Sequence, residues 1–268
     1  MKLLVVPIKH TKILVGLNFY KMKTGTMLFH QGWTDIINCL PLVNFFSKDF
    51  EKINLIVRDD AKPIIDYYLS QFSNVESCYY NKFDIDNHLG EIYQKYSETE
   101  ILFFGVHDAF RRNNYVNLFL NSKPNDFFVE KFYTVYDIDY LNRINYFNLN
   151  RNIELEEKLY NDFISTHGND YVLYHEDAGR DIILDKNNFN SNYRWIDLDK
   201  TTYTFFDYIK ILENSKEIHL IDSVWAAIVY LLDSRYGLFK HIPIRVNCLR
   251  GYKPMFLEPI KLDNWEVI

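Results

Sequence analysis

The stretch Leu28-Phe-His-Gln-Gly-Trp-Thr-Asp-Ile-Ile-Asn-Cys-Leu-Pro-Leu-Val-Asn-Phe-Phe46 reads as the end of a buried strand, a tight turn at Gly32 and a helix. Ile36, Ile37, Leu40, Val43 and Phe46 recur at a spacing of about 3.6, which places them on one helical face. Two polar groups, His30 and Asp35, bracket the turn. In an open α/β sheet, ligands bind outside the carboxyl ends of the strands. A His and an Asp on a strand-to-helix turn therefore mark a place for chemistry, provided that the flanking chain supplies further parallel strands.

The flanking sequence has that pattern. Ile53 to Val57 is a compact, β-branched run of the kind found in buried parallel strands, and it ends in Arg58-Asp59-Asp60. Ala61 to Phe72 places Ile64, Ile65, Tyr68, Leu69 and Phe72 on one stripe, with Pro63 in the first turn, where a missing N–H costs little. Ser77 to Tyr80 predicts a short strand, Ile85 to Tyr96 a helix, Ile101 to Val106 a strand closing on His107-Asp108, and Phe110 to Leu120 a helix. Leu3 to Val6 and Ile13 to Val15 are earlier β-rich runs. Between Lys123 and Arg151 the pattern loosens, and a connection between two lobes is expected there.

Alternation then restarts. Ile153 to Thr166 predicts a helix, and Tyr171 to Tyr174 a strand running into His175-Glu176-Asp177-Ala178-Gly179-Arg180. Tyr193 to Leu198 reads as a strand, Tyr203 to Asn214 as a helix, Ile218 to Ile221 as a strand, Ser223 to Leu232 as a helix and Ile244 to Cys248 as a last strand. The tail, with Pro254, Pro259 and Trp265, is expected to be irregular or briefly helical. The expected architecture is α/β, with one lobe over residues 1–148, a second over 149–268, and a cleft between them.

Composition narrows the function. With 268 residues, 48% of them hydrophobic, the chain can bury a full core. A formal charge of -6 argues against a general nucleic-acid binder. Cys39, Cys78 and Cys248 are odd in number and form no CxxC pair, so they read as reduced core residues, not metal ligands. Pro7 and the Lys9 to Lys12 cluster interrupt the first apolar run, and no stretch reaches the roughly eighteen apolar residues of a membrane span; a cytosolic location is expected. No HExxH, GxGxxG, Walker or GxSxG motif occurs and no Cys/His spacing fits zinc, so no metal or cofactor is expected.

The sharpest local signal is Ile218 to Ala227, an apolar strand ending in Asp222-Ser223 and followed at once by an apolar helix beginning at Val224. A hydroxyl and free backbone N–H groups at a helix N-terminus suit a phosphate or diphosphate. Asp222 or Ser223 acting merely as a helix cap is the alternative.

Together these motifs resemble the GT-B nucleotide-sugar glycosyltransferases, and within them the heptosyltransferase-like, family 9-like branch. That branch has a Gly-containing turn with an Asp followed, after five residues, by Pro, a spacing that Asp35 and Pro41 share. Its second-lobe motif, a strand, Asp-Ser or Asp-Thr, Gly and a helix, is similar to Ile218 to Ala227, although Val224 stands where the family has Gly and Ala227 where it commonly has His. The resemblance implies two Rossmann-like lobes and metal-independent, inverting transfer of a sugar from a nucleotide-diphosphate donor to an acceptor hydroxyl. Asp35 would be the base or a residue favoured by the helix dipole, and His30 an alternative base or acceptor contact. Ser223, Asp222 and the backbone at Val224 would take the diphosphate, with Arg180 as the cation or else in an ion pair with Glu176, Asp177 or Asp181. His175 and Glu176 would hold the base and ribose, while Trp33 and Gly32 would line the acceptor side. A sugar-nucleotide epimerase and a non-catalytic sugar-nucleotide or glycan-binding protein are the rival expectations.

Overall fold

The structure is a computed structural model and describes residues 22–29, 31–84, 88–103, 128–134, 136–186, 192–200, 204–249 and 262–268. Expectations for Leu3 to Val6, Ile13 to Val15, His30, Phe104 to Leu120, Pro254 and Pro259 lie outside the described residues. The first half runs β1 (Met22–Phe29), α1 (Trp33–Phe46), β2 (Phe50–Arg58), α2 (Lys62–Leu69), β3 (Val75–Tyr80), α3 (Leu89–Lys95) and β4 (Glu100–Phe103). Two helices follow, α4 (Phe128–Thr134) and α5 (Asn142–Tyr146), where the sequence pattern loosens. Both are too short for helical periodicity to show. The second half runs α6 (Ile153–His167), β5 (Tyr171–His175), β6 (Arg194–Asp197), α7 (Ile209–Glu213), β7 (Glu217–Ile221), α8 (Val224–Tyr236), β8 (Ile244–Asn247) and β9 (Trp265–Val267).

The strands form two sheets, ordered β3-β2-β1-β4 and β6-β5-β7-β8-β9, and every strand pair in both is parallel. Parallel strands are buried on both faces, which is why Ile53, Leu55, Ile56 and Val57 in β2 and Ile218, Leu220 and Ile221 in β7 are all fully covered. The tail contains a strand that its irregular composition concealed. Three residues cannot display alternation, and β9 is held by tertiary contacts: the Trp265 indole N–H donates to Asp233 Oδ2 at 2.9 Å, and its ring packs edge-on against Tyr230.

β1 carries Gly25 because β2 begins with a large ring beside it. A methyl group at position 25 would come within 2.8 Å of the Phe50 ring, and Phe50 is buried with little room to yield. Gly25→Ala is expected to cost about 1–3 kcal/mol through overpacking, read as a lower denaturation midpoint.

The two halves share one connected apolar core, with α1 packed against α5 and α8. A buried polar knot crosses it. Asn38 of α1 accepts from Arg143 Nη1 at 3.0 Å through its side chain and from the Tyr133 hydroxyl at 2.5 Å through its carbonyl. The Arg143 guanidinium lies over the rings of Tyr140 and Tyr230, which places α1, α4, α5 and α8 in one arrangement. The connection is strapped to both halves as well: Leu149 N–H donates to the Tyr236 hydroxyl and Asn152 N–H to the Tyr67 hydroxyl. Of the three free cysteines, Cys39 is core, whereas Cys78 and Cys248 are half-buried. Among the described residues, no helix is long and apolar enough to cross a membrane.

Candidate functional site

Sheet register decides which strand ends meet. Phe29 of β1 lies beside Val57 of β2, so Gln31 to Trp33 and Arg58 to Asp60 leave the sheet side by side. In the second sheet His175 of β5 lies beside Leu220 of β7, and Tyr174 beside Asp197 of β6. The residues after these strands, Glu176, Asp222-Ser223 and Asp199, therefore gather at one carboxyl edge, where ligands of open α/β sheets bind.

On the first edge, Gly32 is the N-cap of α1 and has no side chain to offer; its carbonyl accepts from Asp35 and Ile36 N–H. Asp35 sits in the first helical turn with its carboxyl largely buried, and burial pushes its pKa up to about 6. Trp33 is half-buried. Its indole N–H donates to Asp60 Oδ2 at 3.1 Å, and its ring meets Phe205 edge-on at 5.5 Å. Asp60 is gripped by the Arg58 fork, Nε to Oδ1 at 2.6 Å and Nη2 to Oδ2 at 2.7 Å, while Arg58 Nη1 donates to the Gln31 carbonyl. Burial pushes the Asp60 carboxyl up, but hydrogen bonds from Arg58 and Trp33 and the charges of Arg58 and Lys82 outweigh it, and its pKa lies below the usual carboxylate value.

On the second edge, Ser223 is the N-cap of α8 in extended conformation, yet its side chain makes no capping bond. The residue is 3% exposed, and its hydroxyl has no partner among the described residues. A buried hydroxyl left unpaired at a helix N-terminus is costly for the protein alone and suited to receiving an anion with the first-turn N–H groups. Asp222 is buried beside it and Val224 half-buried. His175 Nδ1 lies 2.8 Å from Asp199 Oδ1. Glu176 holds its own loop, accepting from Leu184 N–H and pairing with Lys186 Nζ at 3.0 Å. Arg180 stands on the turn after β5 with its side chain 69% exposed, 3.4 Å from Asp177. Two open surface grooves, of about 400 Å³ beside Arg245 and Trp265 and about 330 Å³ beside Arg194 and Trp195, include neither Asp35 nor Ser223.

Phe205 connects the edges. A capping box between Thr204 and Asp207 holds the turn that presents it, and its ring meets Trp33 on one side and Trp225, the second residue of α8, at 4.6 Å on the other. The turn bearing Asp35 and the helix end bearing Ser223 are thus linked through three rings, Trp33, Phe205 and Trp225. Sequence patterning missed Arg58, Asp60, Asp199 and Phe205. The first two were readable as polar residues directly after a buried strand, the same signal that singles out His175. Phe205 carries no local signal. Among the described residues, no group of His, Cys, Asp or Glu has the arrangement to hold a metal ion.

No protein-family model and no curated protein sequence matches the chain. Among solved structures, it is similar to a glycosyl transferase of family 9 from Veillonella parvula DSM 2008, with a TM-score of 0.57 at 11% identity over 94% of this chain and 88% of that one. E. coli ADP-heptose lps heptosyltransferase II matches over 92% of this chain and 90% of its own with TM-score 0.46, and E. coli heptosyltransferase WaaC with ADP over 91% and 92% with TM-score 0.44, each at 11% identity. The first of these likenesses establishes the fold: a mixed α/β chain with parallel sheets, of the GT-B type that the strand-end motifs resemble.

Proposed function

We propose that the protein is a glycosyltransferase that moves a sugar from a nucleotide-diphosphate donor to the hydroxyl of a glycan or other acceptor, in the cytoplasm, with inversion and without a metal. The observation that carries this reading is the buried Ser223 hydroxyl at the N-terminus of α8, without a partner among the described residues and linked through the rings of Trp225, Phe205 and Trp33 to the turn that bears Asp35. Asp35 removes the acceptor's hydroxyl proton as that oxygen forms its bond to the anomeric carbon. The bond from that carbon to the diphosphate oxygen breaks, and the nucleoside diphosphate leaves with the electron pair. Ser223, the backbone N–H groups from Val224 onward and the dipole of α8 receive this charge, and Arg180, solvent-exposed in the free protein, swings from Asp177 to join them. His175 and Glu176 take the nucleoside end, with Trp33 and Gly32 on the acceptor side.

The test is a thermal-shift panel with UDP, GDP, CDP, ADP and dTDP and their sugar conjugates, because a ligand that binds the folded state alone raises the midpoint. One nucleotide should raise it, and Ser223→Ala and Arg180→Ala should each diminish that shift. A shift with none of them, on folded protein, sinks the reading.

Ser223→Ala also separates the two readings of this residue without ligand. A capping serine would cost about 1 kcal/mol on replacement. Here the hydroxyl makes no cap bond and is buried without a partner among the described residues, so the ligand-free variant is expected to melt at or above the wild-type midpoint while its nucleotide affinity falls about tenfold.

A further inference from the structure

Asp60 is remote in sequence from the turn that carries Asp35, yet it holds that turn twice. It accepts directly from the Trp33 indole N–H, and it aligns the Arg58 fork whose third bond ends on the Gln31 carbonyl. Both partners of the ion pair are about four-fifths covered, with side-chain exposures of 19% and 20%, so the fork is shielded from water. The turn itself has little to stiffen it, because the N-cap is a glycine without a side-chain cap bond. On its far side Trp33 meets Phe205, which packs on Trp225 of α8. A chain of contacts, Arg58 to Asp60 to Trp33 to Phe205 to Trp225, therefore sets the distance between the first-half turn and the second-half helix end.

We propose that Asp60 is a positioning residue: through Trp33 and Arg58 it locks the Gln31 to Asp35 turn against Phe205 and so fixes where the Asp35 carboxylate stands relative to the N-terminus of α8. The catalytic consequence rests on the reading of Asp35 as the base. A displacement of about 1 Å between a base and its reacting atoms can cost on the order of a hundredfold in rate, which is what a half-buried ion pair in this place would guard against. The pKa of Asp35 is raised by desolvation, so a loosened turn is expected to admit water to it; the Cys39 thiol on the same helix is the titratable group that feels its charge.

The experiment uses Trp33→Phe, which removes the indole N–H but keeps a ring against Phe205 and changes no charge, together with Asp60→Asn and the double variant. Three quantities are read: nucleotide affinity by thermal shift, turnover of the donor that the panel identifies, and the titration midpoint of the Asp35 carboxyl by carbon NMR. Each single variant is expected to bind nucleotide as the wild type does and to lose ten- to hundredfold in kcat, about the cost of a small misplacement. In each, the Asp35 midpoint should fall by about one pH unit as water reaches it. The double variant should be no worse than Asp60→Asn alone, because the bond that Trp33→Phe removes is one of the two holds that Asp60 supplies. Losses that add in the double variant, or an Asp35 midpoint unmoved by Trp33→Phe, would overturn the clamp. If Asp35→Asn left turnover intact, the base assignment would fail, while the titration and the additivity would still decide the clamp by themselves.

Discussion

Asp35→Asn is expected to abolish sugar transfer, by a thousandfold or more, and at the same time to make the protein more stable at neutral pH. The two effects have one cause. Burial raises the folded-state pKa of Asp35 to about 6 from an ordinary 3.8. A carboxyl whose pKa is raised on folding stabilises the folded state below its unfolded value, and that contribution is lost as pH rises through the folded value. At pH 7 the ionised, desolvated side chain therefore weighs against folding by on the order of 2–3 kcal/mol, a penalty that an uncharged asparagine of the same shape does not carry. A residue kept only to complement the helix dipole would behave oppositely, losing about 0.3–1 kcal/mol on replacement. The wild-type kcat/KM should fall tenfold per pH unit below about 6 and level off above it, since only the ionised base can accept the proton. Thermal melts of the variant and a pH series of the wild type test both halves. A destabilised variant that still turns over would remove Asp35 from the mechanism.

The largest loss of stability is expected at Arg151. Its guanidinium bridges α6 and α7, pairing with Glu156 through Nε and Nη2 and with Glu213 through Nη1 at 2.7 Å, and the Glu156 side chain is 0% exposed. Desolvation pushes the Glu156 carboxyl up, and even Arg151 does not bring it back to the usual value. Arg151→Met leaves that carboxylate buried without its cation, which costs about 3–5 kcal/mol at pH 7. At pH 5 the loss should shrink, because the desolvated Glu156 carboxyl, raised further without its cation, takes up a proton more readily as pH falls. Adding Glu156→Leu should recover most of the stability at pH 7. Urea denaturation of the single and double variants at both pH values measures this. A loss that is the same at pH 5 and pH 7 would show that packing of the Arg151 stem, not the buried charge, is what matters.

The sequence alone determined the alternation. Ile53 to Val57, Tyr171 to Tyr174 and Ile218 to Ile221 are too apolar and β-branched to be anything but buried strands, and the stripes of α1 and α2 repeat at helical spacing, because side-chain direction along a strand or helix is a local property. Gly32, Asp35, Asp222 and Ser223 were legible for the same reason, each lying within a few residues of the strand end that exposes it. What stayed illegible depended on contacts between distant residues: α4 and α5, too short to show a period; β9, held by an indole reaching Asp233; and the Asp60 clamp, in which Arg58, Trp33 and Gln31 come from two strand ends joined only by register. Whether Ser223 caps its helix or keeps its hydroxyl unpaired was likewise decided by the tertiary structure, since the rotamer and surroundings of one serine are not written in its neighbours. The same holds for Phe205, which became the link between two motifs only because packing of α1 on α8 brought both within reach of one ring.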